Sequence, residues 1–437
     1  MKRRLAALSI ATAAVLLTAG CVSNSGGGSS AGGGSAAPST LAADQKINLT
    51  FSTYAFQPAT VKATKAIISS WNAAHPNIQV TMQQVSADSV HDKLVTQFAG
   101  NSAPDIIHDE AADIAGFSRQ GYLADVGPLI PATLKSDVPD SVWGSVTYGG
   151  KITAVPTIAQ VYNLFANTDL LAKAGIALPT AAKPWTWDDL AANAKKLTTG
   201  GTTGFAWGLK SPTAGIMSSS LAFGGTFFSG DEAKPTIKIS DNEMQVPNRL
   251  KAMLDDKSMA ATSVSLAGTD TLPGFYAGKY ALVMAGNYVA TQIDTAAPKT
   301  FRWTMLPLLK GTSQNQAADP QTLSIAKQSK YPTQAMQFIA YFMSGENLAK
   351  ISEGDSLIPV SKSAIAIAKK DLGDKDGWAA ILDSASSLVD APWNKADKFP
   401  DWKTNYATPA YQKFLGGKLD AAGLQKALTD GWAKETG

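Results

Sequence analysis

The sequence predicts an α/β protein built as two lobes, and two observations indicate this. From residue 46 onwards, strand and helix patterns alternate, which is typical of a sheet covered by helices. The length of 437 residues is the second observation, because chains beyond about 250–300 residues usually divide into more than one hydrophobic core. Apolar residues make up 45% of the chain, so a sizeable core can form.

The first twenty residues have the pattern of a secretory signal peptide. Lys2, Arg3 and Arg4 precede an apolar run from Leu5 to Leu17, and small residues follow this run. The run is too short and too rich in alanine to make a good membrane-spanning helix. We therefore predict that residues 1–20 are a signal peptide and that the protein is exported.

Cys21 is the one cysteine of the sequence, so an intrachain disulfide cannot form. The stretch Leu17 to Cys21 resembles a bacterial lipobox, in which the peptide is cut before the cysteine and the thiol receives a diacylglycerol. This resemblance implies lipidation of Cys21 and anchoring to the outer face of the cell membrane, since each buried methylene contributes about 0.8 kcal/mol. The alternative is an ordinary signal peptide followed by a chance cysteine.

Residues 21–45 are rich in glycine and serine. Such a composition cannot bury enough apolar surface to fold, so this segment is predicted to be a flexible linker.

The elements of the folded body follow from hydrophobic periodicity and from residues that end helices. Those predicted at its start are a strand over Ile47–Ser52, a helix over Val61–Trp71, a strand over Ile78–Met82, a helix over Val90–Phe98 and a strand over Pro104–Ile107. Further along, Thr186 is a candidate N-cap for a helix that carries Asp188 and Asp189 in its first turn. A buried strand over Tyr280–Met284 and a helix over Thr333–Met343 follow.

Seven segments, taken in order, resemble one protein family. They are Trp71–Val80, Leu94–Gly100 with Ala103–Ile107, Gly121–Val126, Tyr148–Pro156, Tyr162–Leu171, Trp185–Leu197 and Phe275–Met284. Together they resemble the maltose-binding-like solute-binding proteins, family 1, of ATP-binding-cassette (ABC) sugar importers. The resemblance implies a two-lobed periplasmic-binding-protein-like fold (type II), with a ligand cleft between the lobes and a hinge. It also implies a monomer that needs no cofactor and passes a mono- or oligosaccharide to the membrane permease.

The resemblance further implies where each lobe lies. The first lobe is expected to comprise residues 46–155 and 318–364, and the second residues 156–317 and 365–437. The hinge is expected around Val155-Pro156 and between Pro307 and Asp319.

A sugar site needs aromatic rings for the apolar sugar faces and planar polar groups for the hydroxyls, because a buried hydroxyl must be paired. Loops that follow strands supply such groups in open α/β sheets. Our candidate contacts are Ser52, Tyr54, Gln57, Glu110, Asp113, Tyr162, Trp207, Asn287, Tyr288, Asp319 and Trp393. Glu110 is the leading carboxylate, and Tyr288 or Trp393 the leading stacking partner. The competing interpretation is that the acids cap helices and the aromatic rings pack in the core.

Other functional classes have weaker support. The formal net charge is only +3, and no basic stretch interleaved with aromatics predicts nucleic-acid binding. The three histidines, His75, His91 and His108, are scattered, so neither a metal site nor a catalytic site is predicted. Two alternatives stay open: the same fold with a non-sugar solute such as a polyamine or glycerol phosphate, and a secreted carbohydrate-active hydrolase.

Overall fold

The computed structural model describes residues 45–86, 89–232 and 234–437. The predicted signal peptide, the predicted lipidation site Cys21 and the predicted linker up to residue 44 lie outside these residues. None of the helices in the described ranges combines the length and the apolar character needed to cross a membrane.

The strands are β1 (Ile47–Thr53), β2 (Ile78–Gln84), β3 (Ile106–Glu110), β4 (Thr147–Tyr148), β5 (Lys151–Ile152), β6 (Ala154–Ala159), β7 (Tyr162–Asn167), β8 (Thr203–Trp207), β9 (Phe228–Asp231), β10 (Lys234–Ile237), β11 (Tyr280–Gly286), β12 (Trp303–Met305), β13 (Gln316–Ala317), β14 (Pro320–Ile325), β15 (Ile358–Pro359) and β16 (Leu388–Val389).

The α-helices are α1 (Pro58–Ala74), α2 (Val90–Ala99), α3 (Ala111–Arg119), α4 (Ala132–Asp137), α5 (Asp140–Gly144), α6 (Thr168–Lys173), α7 (Trp187–Leu197), α8 (Thr213–Ser220), α9 (Asp241–Asp255), α10 (Leu272–Tyr276), α11 (Val289–Ala296), α12 (Pro332–Phe342), α13 (Gly345–Asp355), α14 (Lys362–Leu372), α15 (Trp378–Asp383), α16 (Phe399–Trp402), α17 (Thr408–Leu415) and α18 (Ala421–Thr436). Short 3-10 helices include Pro392–Lys395, and a π-helical turn spans Lys403–Ala407.

Two sheets organise the described chain. The larger has six strands in the order β15-β6-β14-β3-β1-β2, and the smaller has four in the order β12-β7-β11-β8. In the larger sheet β1 runs parallel to β2 and β3, whereas β14 runs antiparallel to β3 and β6. In the smaller sheet β11 is antiparallel to β7 and parallel to β8. Helices pack on both sheets, as the alternating pattern predicts.

The helix α7 shows how sequence spacing gives packing against the smaller sheet. Its buried residues Trp187, Leu190, Ala194 and Leu197 recur at intervals of three and four, so they form one apolar stripe along the helix. This stripe joins a core that also includes Phe205 and side chains from α17 and α18. Thr186 caps the helix through a reciprocal capping box with Asp189, which confirms the predicted N-cap.

The chain passes between the two sheets at two places that matter for the site. Gln160 and Val161 link β6 of the larger sheet to β7 of the smaller one. Residues 306–319 lead from β12 of the smaller sheet to β14 of the larger one; they include β13, which pairs with β16, and end with Ala318 and Asp319. Asn287 fixes the first connection, because the Val161 N–H donates to its Oδ1 at 3.0 Å and its own N–H donates to the Val161 carbonyl.

One predicted element differs in position. The strand predicted over Pro104–Ile107 is β3, which begins at Ile106 and continues through Glu110. Antiparallel pairing with β14 extends the strand, with His108 opposite Leu323 and Glu110 opposite Gln321. The prediction that a loop begins at His108 is therefore wrong, since long-range pairing outweighs the weak strand propensity of these polar residues.

Gly204 allows α7 to approach β8 closely, and this gives a test of the packing. A Cβ at this position would lie 1.8 Å from the Ala194 carbonyl oxygen. We therefore expect Gly204→Ala to lower the free energy of unfolding by roughly 3 kcal/mol. Gly201→Ala is the control, because a Cβ there meets nothing within 4 Å. Urea unfolding curves measure both, and equal midpoints for the two variants would contradict the packing described.

Candidate functional site

A cavity of about 200 Å³ lies beside the connections between the two sheets. We call it the first cavity. Most of its wall comes from elements of the larger sheet: the segment after β1, the end of β3, the end of β6 and the start of β14. Its lining residues are Tyr54, Ala55, Phe56, Gln57, Glu110, Ile158, Gln160, Tyr288, Asp319, Gln321, Asp355 and Leu357.

A second cavity of about 190 Å³ lies on the side of the smaller sheet. Aromatic side chains of β7 and β8 line it, together with glycines and the Lys210 segment; its lining residues are Tyr162, Trp207, Gly208, Leu209, Lys210, Ser211, Pro212, Gly215, Ala267, Gly268, Ala285, Gly286 and Tyr288. Tyr288 lines both cavities. The two cavities therefore share Tyr288 as a lining residue, and we call the two together the cleft.

His108 organises the floor behind the first cavity. Its Nδ1 lies 2.7 Å from the Thr53 hydroxyl and its Nε2 lies 2.9 Å from Oε1 of Gln321. Burial lowers the pKa of His108 to about 4, so the ring is neutral near pH 7. Tyr54 stacks on this ring with centroids 4.7 Å apart. The buried histidine thus positions Tyr54 and Gln321, which both face the cavity.

Carboxyl groups are concentrated at one end of the cleft. Removal from water, and then the nearby charges of Asp319, Asp113 and Asp109, raise the pKa of Glu110 to about 8. Glu110 also keeps contact with solvent and lines the first cavity, so its carboxyl group is accessible to a bound molecule. Burial likewise raises the pKa of Asp319 to about 6. Each group is harder to ionise here than in water.

Hydrogen bonds hold these acids in place, and the charge of one lysine acts on them. The Ala112 N–H donates to Oδ1 of Asp319 at 3.2 Å. The Tyr54 hydroxyl lies 3.5 Å from Oε1 of Glu110 and points towards it. The positive charge of Lys403, from the π-helical turn, favours the ionised forms of Glu110 and Asp319. It therefore offsets part of the rise in their pKa values. The arrangement offers several strong hydrogen-bond acceptors to a bound molecule.

Seven of the eleven sequence-predicted site residues line the cleft. Tyr54, Gln57, Glu110, Asp319 and Tyr288 line the first cavity, and Tyr162, Trp207 and again Tyr288 line the second. Asp113 lines neither cavity, although its charge acts on Glu110 and Asp319.

Besides Asp113, three predicted residues are not brought to either cavity. Ser52 is buried in β1, Asn287 holds the connection at Val161, and Trp393 packs edge-on against Phe227 with ring centroids 5.9 Å apart. The competing interpretation of aromatic residues as core packing therefore describes Trp393.

Sequence reasoning missed several cavity residues. Gln160 directly follows a strand, and that position could have indicated it. Asp355 lies at the end of α13. Lys403, which lines neither cavity but whose charge acts on Glu110 and Asp319, lies in a turn near the C-terminal helices. Neither has a local pattern that distinguishes it from a surface residue, because each reaches the site only through long-range packing.

Comparisons with known proteins place this geometry in a family. The model of the bacterial extracellular solute-binding proteins matches residues 53–349. An uncharacterised lipoprotein from the oleD 5′ region of Streptomyces antibioticus is 36% identical over 389 residues, covering 88% of this chain and 86% of that protein.

Solved structures show the same fold. The cyclic alpha-maltosyl-1,6-maltose binding protein of Arthrobacter globiformis aligns with a TM-score of 0.78 at 16% identity, covering 89% of this chain and 99% of that one. A sugar-binding protein of Xanthomonas citri aligns with a TM-score of 0.79 at 16% identity, covering 89% and 98%. The fold is therefore the two-lobed α/β fold of periplasmic binding proteins, and the chain belongs to the bacterial extracellular solute-binding proteins.

Proposed function

We propose that the protein captures a sugar or oligosaccharide in the cleft and delivers it, chemically unchanged, to the permease of an ABC importer. The observation that carries this proposal is that Tyr288 lines two cavities of different character, one aromatic and one rich in carboxyl and amide groups. Aromatic rings of Tyr162 and Trp207 lie on one side, and the carboxyl and amide groups of Glu110, Asp319 and Gln321 lie on the other. Aromatic faces suit the apolar faces of a pyranose, and carboxylates and amides suit its hydroxyls.

Proteins of similar fold support a carbohydrate ligand. A substrate-binding protein of Listeria monocytogenes, with a TM-score of 0.72 and 22% identity, is described in complex with cycloalternan. A receptor of Streptomyces glaucescens, with a TM-score of 0.72 and 20% identity, is described in complex with acarbose. We transfer the ligand class, and neither specific sugar, to this chain.

A panel of mono- and oligosaccharides tests the proposal. A ligand that binds only the native state raises the melting temperature, by an amount that grows with ligand concentration relative to Kd. We expect at least one sugar to raise it and calorimetry to give a one-to-one stoichiometry. Analysis of the incubated sugar distinguishes the hydrolase alternative, since released products would show turnover. A folded protein that no sugar stabilises would overturn the proposal.

We propose that the two lobes are built around the two sheets and hinge where the chain passes between them. The predicted boundary at Val155-Pro156 lies inside β6, so we place the first hinge segment at Gln160-Val161 and the second at Ala318-Asp319. Closure of the lobes on a ligand should reduce the radius of gyration in small-angle scattering. The same radius with and without saturating sugar would count against a hinged clamp.

We further propose that Cys21 carries the lipid that retains the protein at the membrane. The similar Streptomyces protein is named a lipoprotein, and Cys21 follows a lipobox-like stretch. We expect Cys21→Ala to release the protein into the medium while sugar affinity stays unchanged, because two acyl chains supply the membrane affinity. Fractionation of cells that express each form measures this. Retention of the alanine variant in the membrane fraction would show that another feature anchors it.

A further inference from the structure

We infer that His108 is a positioning residue for the ligand: it holds the Gln321 side chain so that the amide N–H, and not the amide oxygen, is available in the first cavity. There this N–H and the neighbouring carboxyl group of Glu110 contact the same ligand hydroxyl. The inference rests on the proposed sugar-binding function and specifies how one hydroxyl of the sugar is recognised.

The pairing of β3 with β14 brings these three side chains together. Gln321 lies directly opposite Glu110, and His108 lies opposite Leu323. Side chains directly opposite each other share one face of a sheet, and a diagonal neighbour is still within reach of a long side chain. His108 therefore contacts Gln321 diagonally, while Gln321 and Glu110 lie side by side. Gln321 and Glu110 both line the first cavity, whereas His108 is buried behind it.

Hydrogen bonds determine which way the Gln321 amide points. Its Oε1 lies 2.9 Å from Nε2 of His108. Burial raises the pKa of Asp355, and side-chain hydrogen bonds from Thr60 and Gln321 oppose this rise. An ionised carboxylate is an acceptor only, so the group that Gln321 presents to Asp355 is the amide N–H. The reversed amide would bring its oxygen to the oxygens of Asp355. This carboxyl group therefore selects the orientation in which the amide oxygen turns to His108.

The same chain of hydrogen bonds determines the tautomer of His108. Because Gln321 turns its oxygen to Nε2, this ring nitrogen carries the proton. Burial lowers the pKa of the ring, so near pH 7 it is neutral and Nδ1 has no proton. Nδ1 then accepts from the Thr53 hydroxyl 2.7 Å away, and the Thr53 oxygen accepts from the Ala55 N–H at 3.1 Å. Of the two amide protons of Gln321, one serves Asp355 and the other is left for a ligand.

A sugar hydroxyl both accepts and donates hydrogen bonds, and these side chains offer it both partners. The Gln321 N–H donates to the hydroxyl oxygen. The carboxyl group of Glu110 accepts from the hydroxyl, because it keeps an acceptor oxygen in either protonation state. A ligand that lacks the hydroxyl leaves both groups unpaired when the cleft closes, and unpaired buried polar groups are costly. His108 therefore contributes to selectivity without contacting the ligand.

The first test determines the tautomer of His108 in the protein without sugar. In NMR spectra of protein labelled with nitrogen-15 in the histidine rings, protonated and unprotonated nitrogens have different shifts. The sequence has three histidines; His75→Gln and His91→Phe each remove one set of signals, and the remaining set belongs to His108. We expect a protonated Nε2 and an unprotonated Nδ1 at pH 7. The opposite tautomer would overturn the inference, because Nε2 would then accept from the Gln321 amide and turn the amide oxygen to the cavity.

The second test asks whether His108 acts through Gln321. Calorimetry measures affinity for the tightest-binding sugar among glucose, maltose, maltotriose, cellobiose and cellotriose. His108→Phe keeps a ring beneath Tyr54, and Gln321→Met keeps the side-chain length. Each should weaken binding about fivefold, which corresponds to one neutral hydrogen bond. The double variant should lose no more than the weaker single variant, because both changes remove the same contact. Losses that multiply in the double variant would show that His108 acts independently of Gln321 and would overturn the inference.

A second histidine provides the matched control. His91 also stacks on an aromatic ring, with its centroid 5.0 Å from that of Phe117, and it lines neither cavity. His91→Phe should therefore bind the same sugar with unchanged affinity. Circular dichroism and melting curves establish that each variant is folded. If His108→Phe does not fold, the tautomer still decides, because it is measured on protein that retains His108.

The outcomes separate this inference from the proposed function. Sugar binding together with the opposite tautomer, or with losses that multiply, would overturn the positioning by His108 and leave the proposed function intact. Absence of binding by these sugars and by the wider panel would overturn the proposed function and the hydroxyl contact together.

Discussion

Tyr288→Ala should weaken sugar binding by roughly 30-fold, which corresponds to about 2 kcal/mol. Tyr288 is the residue that lines both cavities, so its ring contacts whatever spans them. Its hydroxyl also lies close enough to Glu110 for the carboxylate charge, after burial, to raise its pKa. Tyr288→Phe keeps the ring and should lose no more than a few-fold in affinity. Calorimetry with the tightest sugar of the panel compares the two variants.

The control for this prediction is an aromatic residue of similar burial away from the cleft. Tyr341 of α12 packs against Trp71 with ring centroids 5.4 Å apart and lines neither cavity. Tyr341→Ala should lower the melting temperature and leave affinity unchanged. If Tyr288→Ala binds sugar as tightly as the unmodified protein, the two cavities do not act as one site.

Sequence periodicity was sufficient for elements whose structure is local. The strand predicted over Ile47–Ser52 is β1, and the helix predicted over Val90–Phe98 is α2, which ends before Gly100 as expected. The alternation or helical spacing of apolar residues indicates which face of an element is buried, and turn residues indicate where the element ends. The resemblance of ordered segments to one family supplied what periodicity cannot, namely the two-lobed fold.

The site was only partly predictable, because its residues are assembled by long-range packing. Strand ends indicated Glu110, Asp319 and Tyr288, which line the cleft. Asp355 lies at the end of α13 and accepts a hydrogen bond from the hydroxyl of Thr60 on α1, a residue 295 positions away in the sequence. Trp393 shows the opposite error, because composition alone cannot distinguish a stacking ring from a ring in the core. Side chains far apart in sequence carry no shared local pattern.

The second large effect concerns Asp109, whose carboxyl group is buried without a full set of partners. Burial, with the charge of Asp113 adding to it, raises its pKa from 3.8 to about 7. Between these two values the folded state holds a proton that the unfolded state has released. The folded protein therefore becomes less stable as pH rises through this range, and the loss is complete above about pH 7.

Asp109→Asn should remove this loss. The asparagine Oδ1 can still accept from the Glu110 N–H, as Oδ1 of Asp109 does now at 2.9 Å, but the side chain no longer ionises. A pKa rise of this size corresponds to about 4 kcal/mol. The variant should therefore gain roughly 3 kcal/mol in unfolding free energy relative to the unmodified protein as pH rises from 4.5 to 8. The new amide N–H groups must find acceptors, which lowers the stability of the variant by the same amount at every pH.

Urea unfolding at several pH values measures this difference, and Asp255→Asn, at an exposed acid, should show no such trend. A constant difference between Asp109→Asn and the unmodified protein at all pH values would mean that Asp109 ionises as readily folded as unfolded. The same variant should bind the tightest sugar of the panel with unchanged affinity, because Asp109 lines neither cavity. Weaker binding would show that its charge acts on the ligand through the neighbouring Glu110.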